Sequence, residues 1–124
     1  MKHAKDVMVK KVFVIEEDAK VALARLKMLR HNVGALPVVD KDNVLVGMIT
    51  LRDTDLAGSD ISDLMVGELM TKELITCNES TSTKEIAEMM IRTGLQRIPV
   101  IDGDRKLLGL VTQTSIIKAA RDVL

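Results

Sequence analysis

Short apolar runs, arranged as two similar pairs, dominate the pattern of hydrophobic and polar positions along the chain. The first pair is "LPVV" and "VLVGMIT", separated by "DKDN", and the second is "IPVI" and "KLLGLVT", separated by "DGDR". Apolar runs bounded by polar turn residues predict β-hairpins. Because the runs are nearly continuous rather than alternating, we expect sheets that are covered on both faces.

A strand and a helix are predicted before each hairpin, and a second helix after it. "KVFVI" (11–15) and "LITC" (74–77) are rich in strand-forming residues. The stretches 19–31 and 83–93 are rich in Ala, Leu, Met, Lys, Arg and Glu, which favours helix. Residues 51–57 and 113–123 are predicted to be helices that open at Thr50 and Thr112. Each half of the chain is therefore predicted to be β-α-β-β-α.

The two halves are copies of one sequence unit. A shift of 62 residues aligns them without a gap, and twelve of the 43 positions from 8 to 50 are identical to their partners. The identical pairs include Met8 and Met70, Met28 and Met90, Pro37 and Pro99, Gly47 and Gly109, and Thr50 and Thr112. Such self-similarity indicates one structural unit that occurs twice. We expect a first copy at 1–62 and a second at 63–124, with 58–63 as the linker.

Composition and charge indicate one globular module and argue against nucleic-acid binding. The 124 residues are 47% hydrophobic and 29% charged, as in an ordinary domain, and we expect the copies to share one core. The chain holds 18 basic and 18 acidic residues, and Phe13 is its only aromatic residue. It therefore lacks both the cationic excess and the stacking surface typical of nucleic-acid binders.

The single cysteine and the charged N-terminus indicate in which cellular compartment the protein is expected. Cys77 stands alone, so one chain can build neither a disulfide framework nor a multi-cysteine zinc site, which fits a reducing cytoplasm. The stretch "MKHAKDVMVKK" is broken by charges, and no apolar run approaches the ~18 residues of a membrane span. We expect a soluble cytoplasmic protein without a signal peptide or a membrane contact.

The strongest shared motifs are "LPVVD…VGMITLRD" and "IPVID…LGLVTQTS", each preceded by a helix that carries Met28 or Met90. "DVMVK" and "ELMTK" open the two copies. In these motifs practically the whole chain resembles a tandem pair of CBS domains, named after cystathionine β-synthase and also called a Bateman module. The resemblance implies an α/β (α+β) fold in which two β-α-β-β-α repeats pack around a pseudo-twofold axis into one compact module, leaving two related clefts.

The resemblance also implies a regulatory function. Such clefts typically bind adenosine-containing ligands, and we expect AMP, ADP or ATP; S-adenosylmethionine fits less well because it carries no phosphate. No covalent cofactor, metal or catalysis is expected, since no nucleophile has a matching base and His3 and His31 lack spaced partners. We expect a homodimer, with "SIIKAARDVL" (115–124) as a candidate contact, and a regulated protein partner. The alternatives are a ligand-free dimerisation module and the regulatory portion of a larger enzyme or transporter.

Thr50 and Asp53 are the sharpest site candidates. The resemblance implies that Asp53 holds the ribose hydroxyls and that Thr50 lies near the ribose or phosphates. Thr-x-x-Asp is equally the pattern of a helix capping box, and both interpretations stay open. The second copy keeps Thr112, but Ser115 replaces the acid. We therefore expect one good nucleotide site rather than two.

The remaining site candidates concern the phosphate and the base. The resemblance places Arg97 where a cation meets a ligand phosphate, whereas its counterpart Ala35 cannot play this part. An aliphatic slot for adenine is assigned to Val12, Phe13, Val14, Leu36, Pro37 and Met48, for which ordinary core packing is the alternative. Core packing is also expected of Cys77 and of the methionines at 28, 89 and 90, and an interaction with the helix dipole is expected of His31.

Overall fold

The computed structural model describes residues 1–123, and it describes position 60 by its backbone alone. Its elements are α1 (Ala4–Val7), β1 (Ile15–Glu16), α2 (Val21–His31), β2 (Ala35–Val39), β3 (Leu45–Thr50), α3 (Leu51–Ala57), a 3-10 helix (Gly58–Ser62), α4 (Val66–Leu69), α5 (Thr83–Thr93), β4 (Arg97–Ile101), β5 (Leu107–Thr112) and α6 (Gln113–Arg121). They form two compact units. We call Phe13–Leu74 the first unit, and Met1–Val12 together with the chain from Ile75 onward the second unit.

Each unit contains one of the predicted hairpins. In the first unit the strand order is β1-β2-β3, with β1 parallel and β3 antiparallel to β2. In the second unit β4 and β5 are antiparallel, and Cys77 forms an isolated parallel bridge with Val100. All five residues of β2 are buried, as expected of a sheet covered on both faces, whereas burial alternates along β3. The mixed α/β fold class predicted from the sequence is confirmed.

The strands predicted at 11–15 and 74–77 are shorter in the structure. Only Ile15 and Glu16 pair with β2, and Cys77 alone makes the corresponding bridge in the second unit. In the first unit the Lys27 ammonium donates a hydrogen bond to the carbonyl of Val14, just before β1. Composition therefore predicts where these strands lie but overestimates their length.

The turns and most helices follow the predictions. One carboxylate oxygen of Asp40 accepts hydrogen bonds from the backbone N–H groups of Asp42 and Val44, at 2.9 and 3.0 Å, and Asp102 accepts the equivalent pair at 2.9 Å each. These Asx turns close both hairpins. Helices α3 and α5 have the predicted bounds, whereas α2 begins two residues later and α6 ends two residues earlier than expected. No helix within 1–123 is long and apolar enough to cross a bilayer.

The buried apolar residues form two clusters, one in each unit, where we expected one shared core. The first cluster includes Val66 of α4, and the second includes Ala4 of α1; both side chains are fully buried. Each cluster is thus completed by the short helix at the start of the other sequence copy. The compact units are offset from the copies 1–62 and 63–124, because residues 1–12 pack with the second hairpin and residues 63–74 with the first.

The aligned glycines leave room for residues 1–12 and 63–74, the added segments, to pack against the two hairpins. A Cβ atom at Gly109 would lie 2.6 Å from the carbonyl oxygen of Val9, and one at Gly47 would lie 2.5 Å from the sulfur of Met70. Met8, which is aligned with Met70, covers the second hairpin in the same way, with its sulfur 3.0 Å from the Cβ position of Gly109. Both glycines therefore permit a close approach of the neighbouring segment, which a side chain would prevent.

Candidate functional site

Thr50 and Asp53 form a complete capping box at the start of α3. The Thr50 hydroxyl oxygen accepts the Asp53 N–H at 3.1 Å, and Oδ2 of Asp53 accepts the Thr50 N–H at 2.9 Å. Asp53 is half-buried, and within the part of the chain described here no donor is assigned to its Oδ1 atom. The capping interpretation of this motif is confirmed. The ligand interpretation stays a prediction, and the cap leaves one carboxylate oxygen for it.

Thr112 and Ser115 form the equivalent cap at the start of α6. The Thr112 hydroxyl oxygen accepts the Ser115 N–H at 3.1 Å, and Ser115 Oγ accepts the Thr112 N–H at 3.2 Å. The two hydroxyl oxygens are also 3.0 Å apart. Because Ser115 is only 7% exposed, its single polar side-chain atom is engaged inside the box.

Strand register brings several of the predicted residues of the first unit to one end of its sheet. Ile15 pairs with Val38, so Phe13, two residues earlier, lies level with Leu36. Leu36 in turn pairs with Ile49, the residue before Thr50. Phe13 is 43% exposed and Val14 half-buried, whereas Leu36 and Pro37 are buried core residues. Four predicted residues, Val12, Arg97, Thr112 and Ser115, belong to the second unit.

The residue across the strand from each cap also differs. Ala35 pairs with Thr50 in the first unit, and Arg97 pairs with Thr112 in the second. Ala35 is buried, and Arg97 is half-buried at the first position of β4. The first cap therefore has a carboxylate and no cross-strand cation, whereas the second has a cross-strand cation and no carboxylate.

Comparison with known proteins shows the family. The CBS domain family matches residues 4–54 and 66–122, which together are most of the chain. The chain belongs to the CBS domain family. The recognition from the sequence motifs is thereby confirmed, and each matched segment contains one hairpin with its following capped helix.

Relatives of this CBS pair include an enzyme and solved ligand complexes. Over 128 residues the chain is 32% identical to inosine-5'-monophosphate dehydrogenase of Methanocaldococcus jannaschii; the match covers 98% of this chain but 25% of that enzyme. CBSX2 in complex with AMP has a TM-score of 0.89 and 26% identity, covering 99% and 98% of the two chains. The CBS domain pair of protein MJ0100 in complex with 5'-methylthioadenosine and S-adenosyl-L-methionine has a TM-score of 0.87 and 26% identity, covering 100% and 99%.

Helix α2 supplies contacts that the sequence does not reveal. In the CBS pair, Arg25 donates a hydrogen bond to the buried Thr54 hydroxyl at 3.0 Å and forms an ion pair with Asp55. Thr54 donates onward to the Leu51 carbonyl at 2.7 Å. These contacts tie α3, and with it the Thr50 cap, to α2. Positions so far apart in the chain share no periodic signal from which the contacts could be predicted.

A cleft of about 750 Å³ in the second unit lies at the opposite end of the hairpin from Thr112. It is lined in part by Cys77, Glu85 and Asp102. Burial, and secondarily the charge of Glu85, raises the pKa of the Cys77 thiol to about 11, so the thiol is protonated at neutral pH. Cys77 is buried, as the sequence predicted, and its protonated thiol is not an activated nucleophile.

Proposed function

We propose that this CBS pair binds an adenosine-containing nucleotide, AMP, ADP or ATP, at the Thr50–Asp53 end of the first unit, and that it regulates rather than catalyses. The free Oδ1 atom of Asp53 beside an already satisfied cap carries the proposal. Solved relatives support the ligand class, because one holds AMP and another holds 5'-methylthioadenosine and S-adenosyl-L-methionine.

The chemistry of Asp53 suits a ribose. A carboxylate accepts charge-assisted hydrogen bonds from hydroxyl groups, and ribose presents two of them on neighbouring carbons. The bond from the Thr50 N–H to Oδ2 holds the carboxylate in one orientation, so little side-chain freedom is lost when a ligand binds. Capping and ligand binding are therefore compatible functions of one side chain.

The other proposed contacts follow the sequence assignment. Thr50 is proposed to lie near the ribose or phosphates, and Arg97 to bind a phosphate, which favours AMP over S-adenosylmethionine. Phe13 and Val14 are proposed to contact the base. Val12, Leu36, Pro37, Thr112 and Ser115 stay predicted lining residues, although the burial of Leu36, Pro37 and Ser115 favours a supporting role.

Signal transmission is the finer part of the proposal. A ligand shifts a conformational or dimerisation equilibrium only through its different affinity for the two states. Ile117 on α6 and Val123 just after its end are 67% and 80% exposed, which supports a homodimer contact there. Leu124, the end of the predicted contact, lies outside the described residues. A cytoplasmic location and a regulated partner protein complete the proposal.

Thermal unfolding with a ligand panel tests the proposal. The panel is AMP, ADP, ATP, S-adenosylmethionine and NAD, with a guanosine nucleotide as control. A ligand at about 100 times its Kd stabilises a fold by roughly 2.7 kcal/mol, which for a chain of this size raises Tm by on the order of ten degrees. We expect the largest shift with AMP, ADP or ATP. No shift with any adenosine compound at millimolar concentration would leave a ligand-free dimerisation module.

A second candidate function is the regulatory portion of a larger enzyme or transporter system. The chain matches 25% of the length of the inosine-5'-monophosphate dehydrogenase relative. In that enzyme, a similar segment is therefore one part of a longer chain. Copurification with a fixed partner, or a matching neighbouring reading frame, would favour this function. Nucleotide binding by the isolated CBS pair is common to both candidates.

A further inference from the structure

The only phenylalanine of the chain stacks on a histidine. The ring centroids of Phe13 and His31 are 3.8 Å apart and their planes differ by 11°. Phe13 is 43% exposed and His31 is exposed, so the stack lies at the surface rather than in the core. His31 does end α2, as the sequence predicts, but its ring also packs on an aromatic partner. An exposed pair of parallel rings offers a flat aromatic face at the surface of the protein.

The last turns of α2 hold the segment that carries this stack. Lys27, one turn before His31, donates a hydrogen bond to the carbonyl of Val14, the residue after Phe13. Two side chains of α2 therefore contact two consecutive residues of the extended segment before β1. This arrangement presents the Phe13 ring in a fixed position without burying it.

The stack lies at the same end of the sheet as the Thr50–Asp53 cap. Phe13 is level with Leu36 on β2, which pairs with β3 next to Thr50. Neighbouring strands are about 4.8 Å apart, so the first and third strands of the sheet are roughly 10 Å apart. This separation is close to the span of a nucleoside from its base to its ribose hydroxyls.

We propose that the Phe13–His31 stack is a platform for the purine base of the ligand, and that His31 is a base-contact residue of the nucleotide site. This inference rests on the proposed function and deepens it. A purine is flat and stacks on aromatic rings, and the exposed part of the stack offers such a surface. Asp53 and the stack then recognise the two ends of one nucleoside.

The second copy lacks the platform. Ile75 and Thr93 stand where the first copy has Phe13 and His31. Base stacking and charged ribose recognition are therefore confined to the same copy. The second copy also supplies matched substitutions, Phe13→Ile and His31→Thr, whose new residues already occur at equivalent positions of this fold.

Proton NMR tests the platform directly. Phe13, His3 and His31 supply all aromatic side-chain resonances of the chain, so each can be assigned with a single variant. On addition of AMP we expect the ring protons of Phe13 and His31, and the base protons of AMP, to shift through mutual ring currents, while His3 stays unchanged. If calorimetry shows that AMP binds but the ring-proton resonances of Phe13 and His31 do not shift, the platform is overturned and the nucleotide site is not. Absence of AMP binding would overturn the nucleotide site as well.

Affinity measurements separate base contacts from effects on the fold. We expect Phe13→Ile to weaken AMP binding by roughly fivefold to a hundredfold and His31→Thr by a smaller factor, from the usual worth of base stacking. Affinity for ribose 5-phosphate, which has no base, should not change, and His3→Thr is the matched control. Equal weakening of both ligands, or no weakening of AMP, would contradict the platform.

Discussion

In the first unit α3 begins at a cap of Thr50 and Asp53, and in the second unit α6 begins at a cap of Thr112 and Ser115. The cap residues have nearly the same backbone, with φ of −109° and −108°, and both boxes are closed by reciprocal hydrogen bonds. A hydroxyl therefore serves the helix as well as a carboxylate does. Because the second helix is capped without an acid, the negative charge of Asp53 is not required by the cap, and its extra oxygen is available to a ligand.

Two further candidate ligand positions at this end of the hairpins also differ between the copies. Ala35 faces Arg97 in the alignment, and Phe13 faces Ile75. At the opposite end, the turn acids Asp40 and Asp102 are identical and make the same hydrogen bonds. The residues that close the hairpins and accept the N3 amide of each cap are thus repeated, whereas the candidates for the charged ribose contact, the phosphate contact and the base stack differ between the copies.

The largest effect is expected from the aligned glycines. Gly109→Ala should lower the free energy of unfolding by about 3 kcal/mol, because its Cβ would meet the backbone carbonyl of Val9 at 2.6 Å. Gly47→Ala should cost about 1–2 kcal/mol, since its nearest neighbour is the flexible Met70 side chain. Denaturant unfolding measures both values. Equal, small losses would show that the added segments do not pack as closely as described.

Ligand affinity is the measurement that best distinguishes the functions of the two caps. Asp53→Ser gives the first cap the chemistry of the second, so α3 should persist while AMP binding weakens by roughly tenfold to a hundredfold, from a lost charge-assisted bond of about 1.5–3 kcal/mol. Ser115→Ala should change AMP affinity by less than about threefold. Calorimetry measures both. An unchanged affinity of the Asp53→Ser variant would reduce Asp53 to a helix cap.

The two caps should be equally important for stability. Thr50→Ala and Thr112→Ala each remove the hydroxyl that accepts the N3 amide, which typically costs about 1 kcal/mol. Denaturant unfolding of both variants in the absence of ligand checks the equality. A loss several times larger at Thr50 would show that the first cap supports its unit in a way the second does not.

The smallest effect concerns Cys77, which stands where the first copy has Ile15. Its pKa in the fold is raised from 9.0 to about 11, so the stability that its neutral thiol contributes is complete below pH 9 and is lost as the pH rises toward 11. At pH 9 the loss should be a few tenths of a kcal/mol. Comparison with Cys77→Val over this pH range isolates the thiol. Identical pH profiles, or rapid alkylation of the native thiol near pH 8, would contradict its burial.

Much of the fold follows from local sequence patterns. The hairpins were predicted because apolar runs are separated by turns whose acids Asp40 and Asp102 bond their own backbone. Helix α3 was predicted from the Thr50 cap before it and α5 from its helix-favouring composition, and both have the predicted bounds. Helices α1 and α4 were not predicted, because four residues are too few to show a helical period, and their packing partners lie in the other copy.

The candidate site was predicted less completely than the fold. The sequence offers both interpretations of Thr50 and Asp53, and the hydrogen bonds establish the cap. It gives no indication that His31 meets Phe13, because residues 18 positions apart come together only through the packing of α2 beside β1. The hydrogen bond from Lys27 to the Val14 carbonyl depends on the same packing. Long-range side-chain contacts of this kind have no signature in a single sequence.

The central claim is that the charged ribose contact and the base-stacking contact both lie in the first copy of the repeat. The most direct measurement is the stoichiometry of AMP binding to the purified chain by isothermal titration calorimetry, repeated with Asp53→Ser. One AMP per chain is expected, with the heat of binding greatly reduced in the variant. Two equivalent AMP molecules per chain, or one that binds the Asp53→Ser variant with unchanged affinity, would contradict the claim.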